Sequence, residues 1–397
     1  MEEFTLENRT WWWVGGGAVV LAIILFFVFS DGDDDGDTTT TVPVAADTTT
    51  TEGDAATTTT EAGATTTTAP PLIGEGRLVG MAYDIGGRGD LSFNDLAALA
   101  WDTGKEMYGY DGEELVPDEG GENREENLRL LAETGHELIV ANGFAFANNV
   151  FHVGTEFPDV AFTITDSCPA ADDFSTAEMD NVRCMLFAEH EGSFLVGAAA
   201  AMKSTTGTVG FIGGVTIPLI VKFDAGFRAG ALHVNPDIVI LDSVYLSDPP
   251  DFSGFGDPGA GKLAADALYA QGADVVYHAA GGSGFGLFES AEENSTEDLF
   301  LWAIGVDADQ FNTVGDSALA AHILTSMLKR VDVAVGKTIE DFLEGNFTPG
   351  PQVFDLSVEG VGYSTTGGFV DDISAELDAL AAQIIDGTIV VPETLEG

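Results

Sequence analysis

From residue 77 onward, short apolar runs alternate with stretches whose apolar residues recur at helical spacing. The runs that predict strands are 78–83, 137–141, 160–165, 208–213, 238–244, 274–278 and 300–306. The stretches that predict helices are 93–108, 124–135, 145–156, 191–203, 219–234, 259–271, 285–293 and 317–336, with a further helix near 371–386. Nearly continuous apolar strands separated by helices are typical of parallel sheets covered on both faces. The pattern predicts an α/β fold, and the length suits two such sheets.

The segment 11–30, WWWVGGGAVVLAIILFFVFS, contains no charged residue. About 20 apolar residues are enough for a helix to span a bilayer. Arg9 precedes the segment and the acidic run DGDDDGD follows it. This asymmetry predicts a single-pass anchor in the cell membrane, with residues 1–10 cytoplasmic and the body on the extracytoplasmic face. A cleaved signal peptide is the alternative.

Residues 31–76 have the composition of a linker. Runs of four threonines alternate there with Ala, Gly, Pro and acids. Such a segment has too few apolar residues to form a core, so it is predicted to be disordered.

The charge balance narrows the ligand classes. The chain has 66 acidic residues against 14 Lys and Arg, a formal net charge of −52. Nucleic-acid binders need a basic surface, so that class is excluded, and anionic ligands are disfavoured. An acidic surface with few lysines suits a saline habitat, but an ordinary solvated acidic surface explains it equally well.

The two cysteines, Cys168 and Cys184, allow two interpretations. In an oxidising compartment they can form a disulfide, which the predicted export of this region favours. The alternative is a pair of buried free thiols.

Two glycine-rich segments resemble nucleotide-binding motifs only in part. GDPGAGKL (256–263) has Leu263 where a P-loop needs Ser or Thr, and it follows a loop rather than a strand. AAGGSGFG (279–286) is a turn between a strand and a helix that lacks the dinucleotide-binding spacing. The six histidines show no metal-ligand spacing. The sequence therefore predicts no enzyme activity, no cofactor and no metal site.

Acidic residues recur where predicted strands end. Asp84, Asp166 and Asp307 each follow an apolar run. Ligands of open α/β sheets bind outside the carboxyl ends of the strands. Ionised carboxylates only accept hydrogen bonds, so they suit hydroxyl and amino groups. Phe93 and Phe255 lie in polar, glycine-rich loops, where stacking on a planar ligand is plausible chemistry.

Several motifs together resemble the basic membrane protein family, the purine-nucleoside-binding proteins of ABC transporters. They run in order from YDIGGRGDLSFN (83–94) and FTITDS (162–167) through FAEHEGSFLVGAAAAM (187–202), ADVVYHAAGGSGFGLFESA (273–291) and WAIGVDADQ (302–310) to ILTSMLKRVDVAV (323–335). The resemblance covers about 77–395. It implies a type I periplasmic-binding fold with two doubly wound lobes and a ligand cleft between them. The implied lobes are about 77–190 with 308–345, and about 191–307 with 346–395.

The resemblance also implies roles for individual residues. Phe93 and Phe255 would clamp the purine. Asp90 and Asp166 would hydrogen-bond the edge of the base, with Asn94 nearby, while Asp307 and Lys329 would hold the ribose hydroxyls. Asp84 and Gly282 would line the same cleft. The family's usual lipid-anchor cysteine is absent here, where the apolar segment and the threonine-rich linker stand instead.

These observations predict a protein that captures purine nucleosides as a monomer and presents them to the permease of an ABC transporter. Two alternatives share much of the same sequence evidence. One is a binding protein of the same fold for a sugar or another small solute. The other is a membrane-anchored sensor whose cleft signals instead of delivering its ligand.

Overall fold

The computed structural model describes residues 7–15, 18–26, 71–118 and 120–395. The chain divides into two units, Met1–Thr67 and Thr68–Gly397. In the first unit, strand β1 (Glu7–Gly15) pairs antiparallel with strand β2 (Ala18–Phe26). The predicted linker lies outside the described residues up to position 70.

The predicted membrane helix over 11–30 is wrong, and with it the single-pass location. Within the described ranges, no helix is both long and apolar enough to cross a membrane. Most of the segment belongs to the two strands instead. Three consecutive tryptophans and several Val and Ile residues favour extended backbone, whereas the glycines at 15–17 disfavour a helix interior.

The second unit contains two sheets and the helices that cover them. Its strands are β3 Val79–Ala82, β4 Glu114–Leu115, β5 Leu138–Ala141, β6 Ala161–Thr165, β7 Val182–Phe187, β8 Thr208–Val215, β9 Val239–Ile240, β10 Val244–Ser247, β11 Val275–Ala279, β12 Trp302–Asp307, β13 Ile323–Lys329, β14 Gly350–Phe354 and β15 Val361–Tyr363. Its helices are α1 Phe93–Tyr108, α2 Arg124–Glu133, α3 Ala147–Glu156, α4 Glu189–Lys203, α5 Pro218–Val234, α6 Pro258–Ala270, α7 Phe285–Asn294, α8 Gln310–Thr313, α9 Ser317–Ala320, α10 Val331–Leu343 and α11 Ser374–Ile385.

Both sheets are built from parallel strands, which confirms the predicted α/β class. The six-stranded sheet has the order β14-β7-β6-β5-β3-β4 and is parallel throughout. The seven-stranded sheet has the order β10-β8-β11-β12-β13-β15, with β9 beside β8, and only β15 is antiparallel. Central strands such as β5 and β11 are buried along their whole length, as expected for sheets covered by helices.

The chain passes between the sheets at different points from those predicted. Strand β13 was assigned to the first lobe but lies in the seven-stranded sheet, and β14 was assigned to the second but lies in the six-stranded sheet. The helix predicted over 317–336 is the short helix α9, strand β13 and the start of α10. Short apolar runs fit helix and strand spacing alike, and here pairing with β12 and β15 decides for the strand.

The two cysteines are joined in the six-stranded half of the molecule. Cys168, in the loop after β6, forms a disulfide with Cys184 on β7, and their Cα atoms are 5.0 Å apart. Because β6 and β7 are neighbours in the sheet, the bond ties the loop that follows Asp166 to the adjacent strand.

Helices α4 and α5 pack against each other through glycines. A Cβ atom at Gly197 would lie 2.0 Å from the carbonyl oxygen of Phe227. One at Gly230 would lie 1.9 Å from that of Phe194. The backbones therefore approach more closely than any larger residue permits, and α4, rich in alanine, is buried over most of its length.

We expect Gly197→Ala to lower the free energy of unfolding by about 2–4 kcal/mol, since the added methyl group meets backbone that cannot move aside locally. Gly336 in α10 is the matched control, because a Cβ there meets no atom within 4 Å. Gly336→Ala should raise stability by about 0.4–1 kcal/mol through helix propensity and lower unfolded-state entropy. Urea titrations of both variants measure the difference, and equal effects would contradict the close packing.

Candidate functional site

A cavity of about 490 Å³ lies between the two sheets, where the carboxyl ends of their strands face each other. Its lining comes from loops after β3, β5 and β6 on one side and after β10, β11, β12 and β13 on the other. This is the position where open α/β sheets bind ligands. The lining includes all nine residues that the sequence predicts as ligand-binding: Asp84, Asp90, Phe93, Asn94, Asp166, Phe255, Gly282, Asp307 and Lys329.

A buried ammonium group forms one end of the cavity. The Nζ atom of Lys329 lies 2.7 Å from both carboxylate oxygens of Asp166 and 3.2 Å from Oε1 of Glu189. The rings of Phe93, Phe187 and Phe223 surround it at 5.0 to 5.6 Å. Lys329 is only 2% exposed, so its charge depends on these partners.

Opposing effects set the protonation of this group of charges. Burial raises the pKa of Asp166 to about 7, the ammonium of Lys329 lowers it, and the neighbouring Glu189 and Asp307 raise it. Burial likewise raises the pKa of Asp307, against the Lys329 charge and a hydrogen bond from Ser92. Burial lowers the pKa of Lys329, but the three nearby carboxylates together raise it more, so the lysine stays protonated.

Asp166 and Asp307 adopt the same unusual backbone conformation. Their φ angles are 67° and 62°, in the left-handed region that most side chains avoid. Aspartate tolerates this region better than most residues, although at a cost of order 1 kcal/mol. Such residues concentrate at functional sites, and here each one ends a strand and lines the cavity.

Hydrogen bonds join the loops of the two sheets across the cavity. The hydroxyl group of Ser92, from the loop after β3, donates to Oδ2 of Asp307 at 2.7 Å. Gln310 and Thr313, which follow β12, both donate to the carbonyl oxygen of Leu91 at 3.3 Å. The structure therefore shows the cleft with its two sides in contact.

Asp90 lines the cavity, but its carboxylate oxygens are already engaged. They accept hydrogen bonds from the backbone N–H groups of Ser92, Asn94 and Asp95 at 3.0, 2.8 and 3.1 Å. Burial raises the pKa of Asp90 to about 6, and these N–H donors counteract it. The arrangement fixes the start of helix α1, and so the Phe93 ring, while the contact of Asp90 with the edge of a base stays a prediction.

A second ion pair, between Arg124 and Asp84, also lines the cavity. The sequence analysis predicts Asp84 as a site residue but not Arg124. Arg124 donates through Nε at 2.9 Å and Nη2 at 2.5 Å to Oδ1 of Asp84. Two strand spacings, about 10 Å, separate β3, which precedes Asp84, from β6, which precedes Asp166. No sequence pattern distinguishes Arg124 from other charged residues at a helix start.

Aromatic rings cover the cavity from both sides. Phe93 begins α1 beside the six-stranded sheet, and Phe255 ends a 3-10 turn, Ser253–Phe255, beside the seven-stranded sheet. Phe144 and Phe252, which the sequence analysis missed, also line the cavity and meet edge to face with centroids 5.8 Å apart. Their signal was the same as for Phe93, an aromatic residue in a glycine-rich or polar loop.

The P-loop-like segment serves packing. Lys262 pairs with Glu293 at 2.8 Å, and a Cβ at Gly261 would lie 2.0 Å from the carbonyl oxygen of Ser283. The lysine of this motif therefore faces an acid of α7 rather than a phosphate site. Among the described residues, no cluster of His, Cys, Asp or Glu could hold a metal ion.

His278 supports the cavity from behind. Its Nε2 lies 3.0 Å from Oε1 of Gln310, and that oxygen also accepts from the backbone N–H of Val306. The ring is fully buried, and burial lowers the pKa of His278 to about 4. The neutral imidazole therefore donates to Gln310, which lines the cavity.

Comparison with known proteins identifies close relatives. The model of a family described as ABC transporter substrate-binding protein PnrA-like matches residues 78–395. A CD4+ T-cell-stimulating antigen of Listeria innocua is 33% identical over 331 residues, covering 79% of this chain and 88% of that protein. The ABC transporter nucleoside-binding protein BmpA of Lactococcus lactis is 30% identical over 324 residues, covering 78% and 87%.

Solved structures agree with the fold. An ABC transporter solute-binding protein from Aeropyrum pernix K1 superposes with a TM-score of 0.68 at 28% identity. The match covers 81% of this chain and 95% of that protein.

The buried histidine predicts an acid sensitivity that can be measured. The folded pKa of His278, about 4, lies below its unfolded value of 6.5. Its neutral form therefore stabilises the fold above pH 6.5, and this contribution is lost as pH falls through 4. We expect His278→Gln to reduce the acid-induced loss of unfolding free energy by about 3 kcal/mol between these limits.

Denaturant titrations at a series of pH values would measure this difference. His233→Gln is the control, since that ring is exposed in the folded protein. Parallel pH profiles for wild type and His278→Gln would show that the buried ring does not control acid stability.

Proposed function

Because the chain belongs to the PnrA-like family of ABC transporter substrate-binding proteins, we propose that its cavity binds a purine nucleoside for delivery to a permease. The resemblance to the basic membrane protein family is confirmed by this match and by the nucleoside-binding relative. The family consists of transport proteins, and the proposed function involves no bond chemistry. The proposed binding unit is a monomer.

The observation that carries the proposal is the pairing of aromatic rings with carboxylates in one cavity. Phe93 and Phe255 line the cavity from opposite sheets, and we place the flat ring system of the base between them. A base stacked on aromatic side chains gains about 1–3 kcal/mol per base. This favours a nucleoside over a free sugar, which has no aromatic face.

The charged ends of the cavity suit the remaining groups of a nucleoside. We place the ribose at Asp307 and Lys329, where a carboxylate can accept from a hydroxyl group and the ammonium can donate to one. Asp84 and Asn94 then lie nearer the base. Asp84 uses Oδ1 for Arg124 and for the backbone of Ile85, so Oδ2 is the oxygen left to accept from a base.

Phosphorylated ligands are poorly matched to this cavity. Two of its cations, Lys329 and Arg124, are already paired with Asp166 and Asp84. The third, Arg88, is paired with Asp102 and Glu114. A phosphate would add negative charge beside buried carboxylates without a free cation to receive it. The proposed ligand is therefore the neutral nucleoside.

We expect inosine, guanosine or adenosine to stabilise the protein in thermal unfolding, by about 2.7 kcal/mol when free ligand reaches 100 times its dissociation constant. The corresponding monophosphates should have little effect because of charge repulsion. Ribose serves as the control for a sugar-binding cleft. Equal stabilisation by monophosphates, or displacement of nucleosides by ribose, would refute the nucleoside assignment.

Removing one ring should weaken nucleoside binding while leaving the fold intact. We expect Phe255→Ala to raise the dissociation constant for inosine about tenfold or more, because one stacking face is lost. Isothermal titration calorimetry measures the change, with melting temperature as a check on folding. Phe174, which is 88% exposed, provides the control variant Phe174→Ala. Unchanged affinity in Phe255→Ala would rule out stacking on this ring.

A further inference from the structure

A third buried carboxylate lies behind the nucleoside cavity and has no assigned role. Glu189 begins helix α4 where the chain leaves the six-stranded sheet, and it is only 1% exposed. It does not line the cavity. Neither of its carboxylate oxygens has a hydrogen-bond partner, and both are sealed from solvent. A buried carboxylate in this state depends on charge pairing.

The partners of Glu189 are two lysines. Oε1 lies 3.2 Å from Nζ of Lys329, and Oε2 lies 3.6 Å from Nζ of Lys222. Lys222 is 30% exposed and also lies 3.6 Å from Glu393, so its charge is shared and partly solvated. Lys329, which is closer and buried, is therefore the stronger electrostatic partner of Glu189.

The contact directs the ammonium group. A lysine has three N–H donors. Asp166, which lines the cavity, and Glu189, which does not, both attract this group, and Lys329 itself lines the cavity. Loss of the charge at Glu189 would leave the ammonium of Lys329 held by Asp166 alone among its close partners.

The contact between Glu189 and Lys329 also adds a negative charge close to the cavity carboxylates. Asp166, Glu189 and Asp307 all interact with the buried ammonium of Lys329, and the second lysine near Glu189, Lys222, is partly exposed. Like charges at short range disfavour simultaneous ionisation, which holds the cavity carboxylates close to protonation. The titratable and charged groups that face this cluster are Asp166 after β6, Glu189 and His190 on α4, Lys222 on α5, Tyr277 on β11, Asp307 on β12, Lys329 on β13, and Glu393.

We propose that Glu189 is a positioning residue that acts through Lys329 and makes nucleoside binding depend on pH. It holds the ammonium from behind the cavity, and its charge makes the cavity carboxylates easier to protonate. Protonation of Asp166 removes the negative charge that holds the ammonium of Lys329 in place for the ribose, so affinity falls as the pH is lowered. This inference rests on the proposed function, because the pH-dependent step is binding of the nucleoside.

The sign of the effect follows from the charges. The pKa of Asp166, raised to about 7, places the loss of affinity in the wild type below about pH 7. Glu189→Gln removes a like charge, which lowers the pKa of Asp166 and moves the loss of affinity to lower pH. The variant should also bind inosine about tenfold more weakly at high pH, since one charge-assisted contact to Lys329 is lost. A purely structural role would weaken binding equally at every pH.

Isothermal titration calorimetry with inosine, between about pH 5.5 and 8.5 on either side of the Asp166 titration, tests the proposal. Glu191→Gln is the matched control, because Glu191 lies in the same first turn of α4 but accepts from the backbone N–H of Leu356. Glu189→Asp, which keeps the charge, should restore the wild-type pH midpoint in part. The same midpoint in wild type and Glu189→Gln would overturn the proposal.

A ligand-free measurement separates this inference from the proposed function. Carbon-13 NMR of the aspartate carboxyl groups, with Asp166 assigned through Asp166→Asn, reports its titration directly. Its midpoint should move to lower pH in Glu189→Gln and stay in place in Glu191→Gln. If the wild type binds no inosine, the proposed function fails, while an unmoved Asp166 titration overturns the role of Glu189.

Discussion

The buried ammonium of Lys329 is the constraint on which the site depends. Lys329 ends a strand of the seven-stranded sheet, whereas Asp166 follows a strand of the six-stranded sheet. A charge buried at this depth is tolerated only with close partners of opposite sign, so the ion pair holds two strand ends from different sheets together. The same need explains the surrounding carboxylates. Burying these carboxylates without a cation would cost free energy, and the nearby ammonium of Lys329 reduces that cost. They can therefore serve as hydrogen-bond acceptors in the cavity.

The pairing of the cavity cations with acidic residues explains how a strongly acidic chain can form a cleft suited to neutral ligands. A net charge of −52 leaves few cations for ligand binding, and the three that line the cavity, Arg88, Arg124 and Lys329, are all paired with acidic residues. The cavity therefore offers mainly acceptors and aromatic faces, a combination complementary to a neutral ligand rich in hydroxyl and amino donors. The glycine-rich turns contribute close packing instead of a phosphate cradle.

The sequence was informative wherever function follows local pattern. Alternating apolar runs predict the strands, and ligands lie at strand ends, so Asp84, Asp166 and Asp307 could be placed at one cavity. Prediction from the sequence failed for residues whose contact partners lie far away along the chain. Arg124 and Glu189 are charged residues at helix starts, as many others are. Their ion pairs at the cavity are visible only from the tertiary structure. The placement of β13 depended on pairing with β12 and β15, and Asp90 proved to bond backbone N–H groups that no spacing rule reveals.

The packing of helices α4 and α5 affects the cavity, although α4 begins where the chain leaves the six-stranded sheet. Because glycines let α4 and α5 approach at backbone contact, the position of α5 is fixed by the helix that carries Glu189. Helix α5 in turn carries Phe223, whose ring lies 5.6 Å from the ammonium of Lys329. A larger side chain at Gly197 would separate the helices and move this ring away from the charge that it covers. The glycines of α4 and α5, far from any ligand contact, thus help determine how well the ammonium is shielded from water.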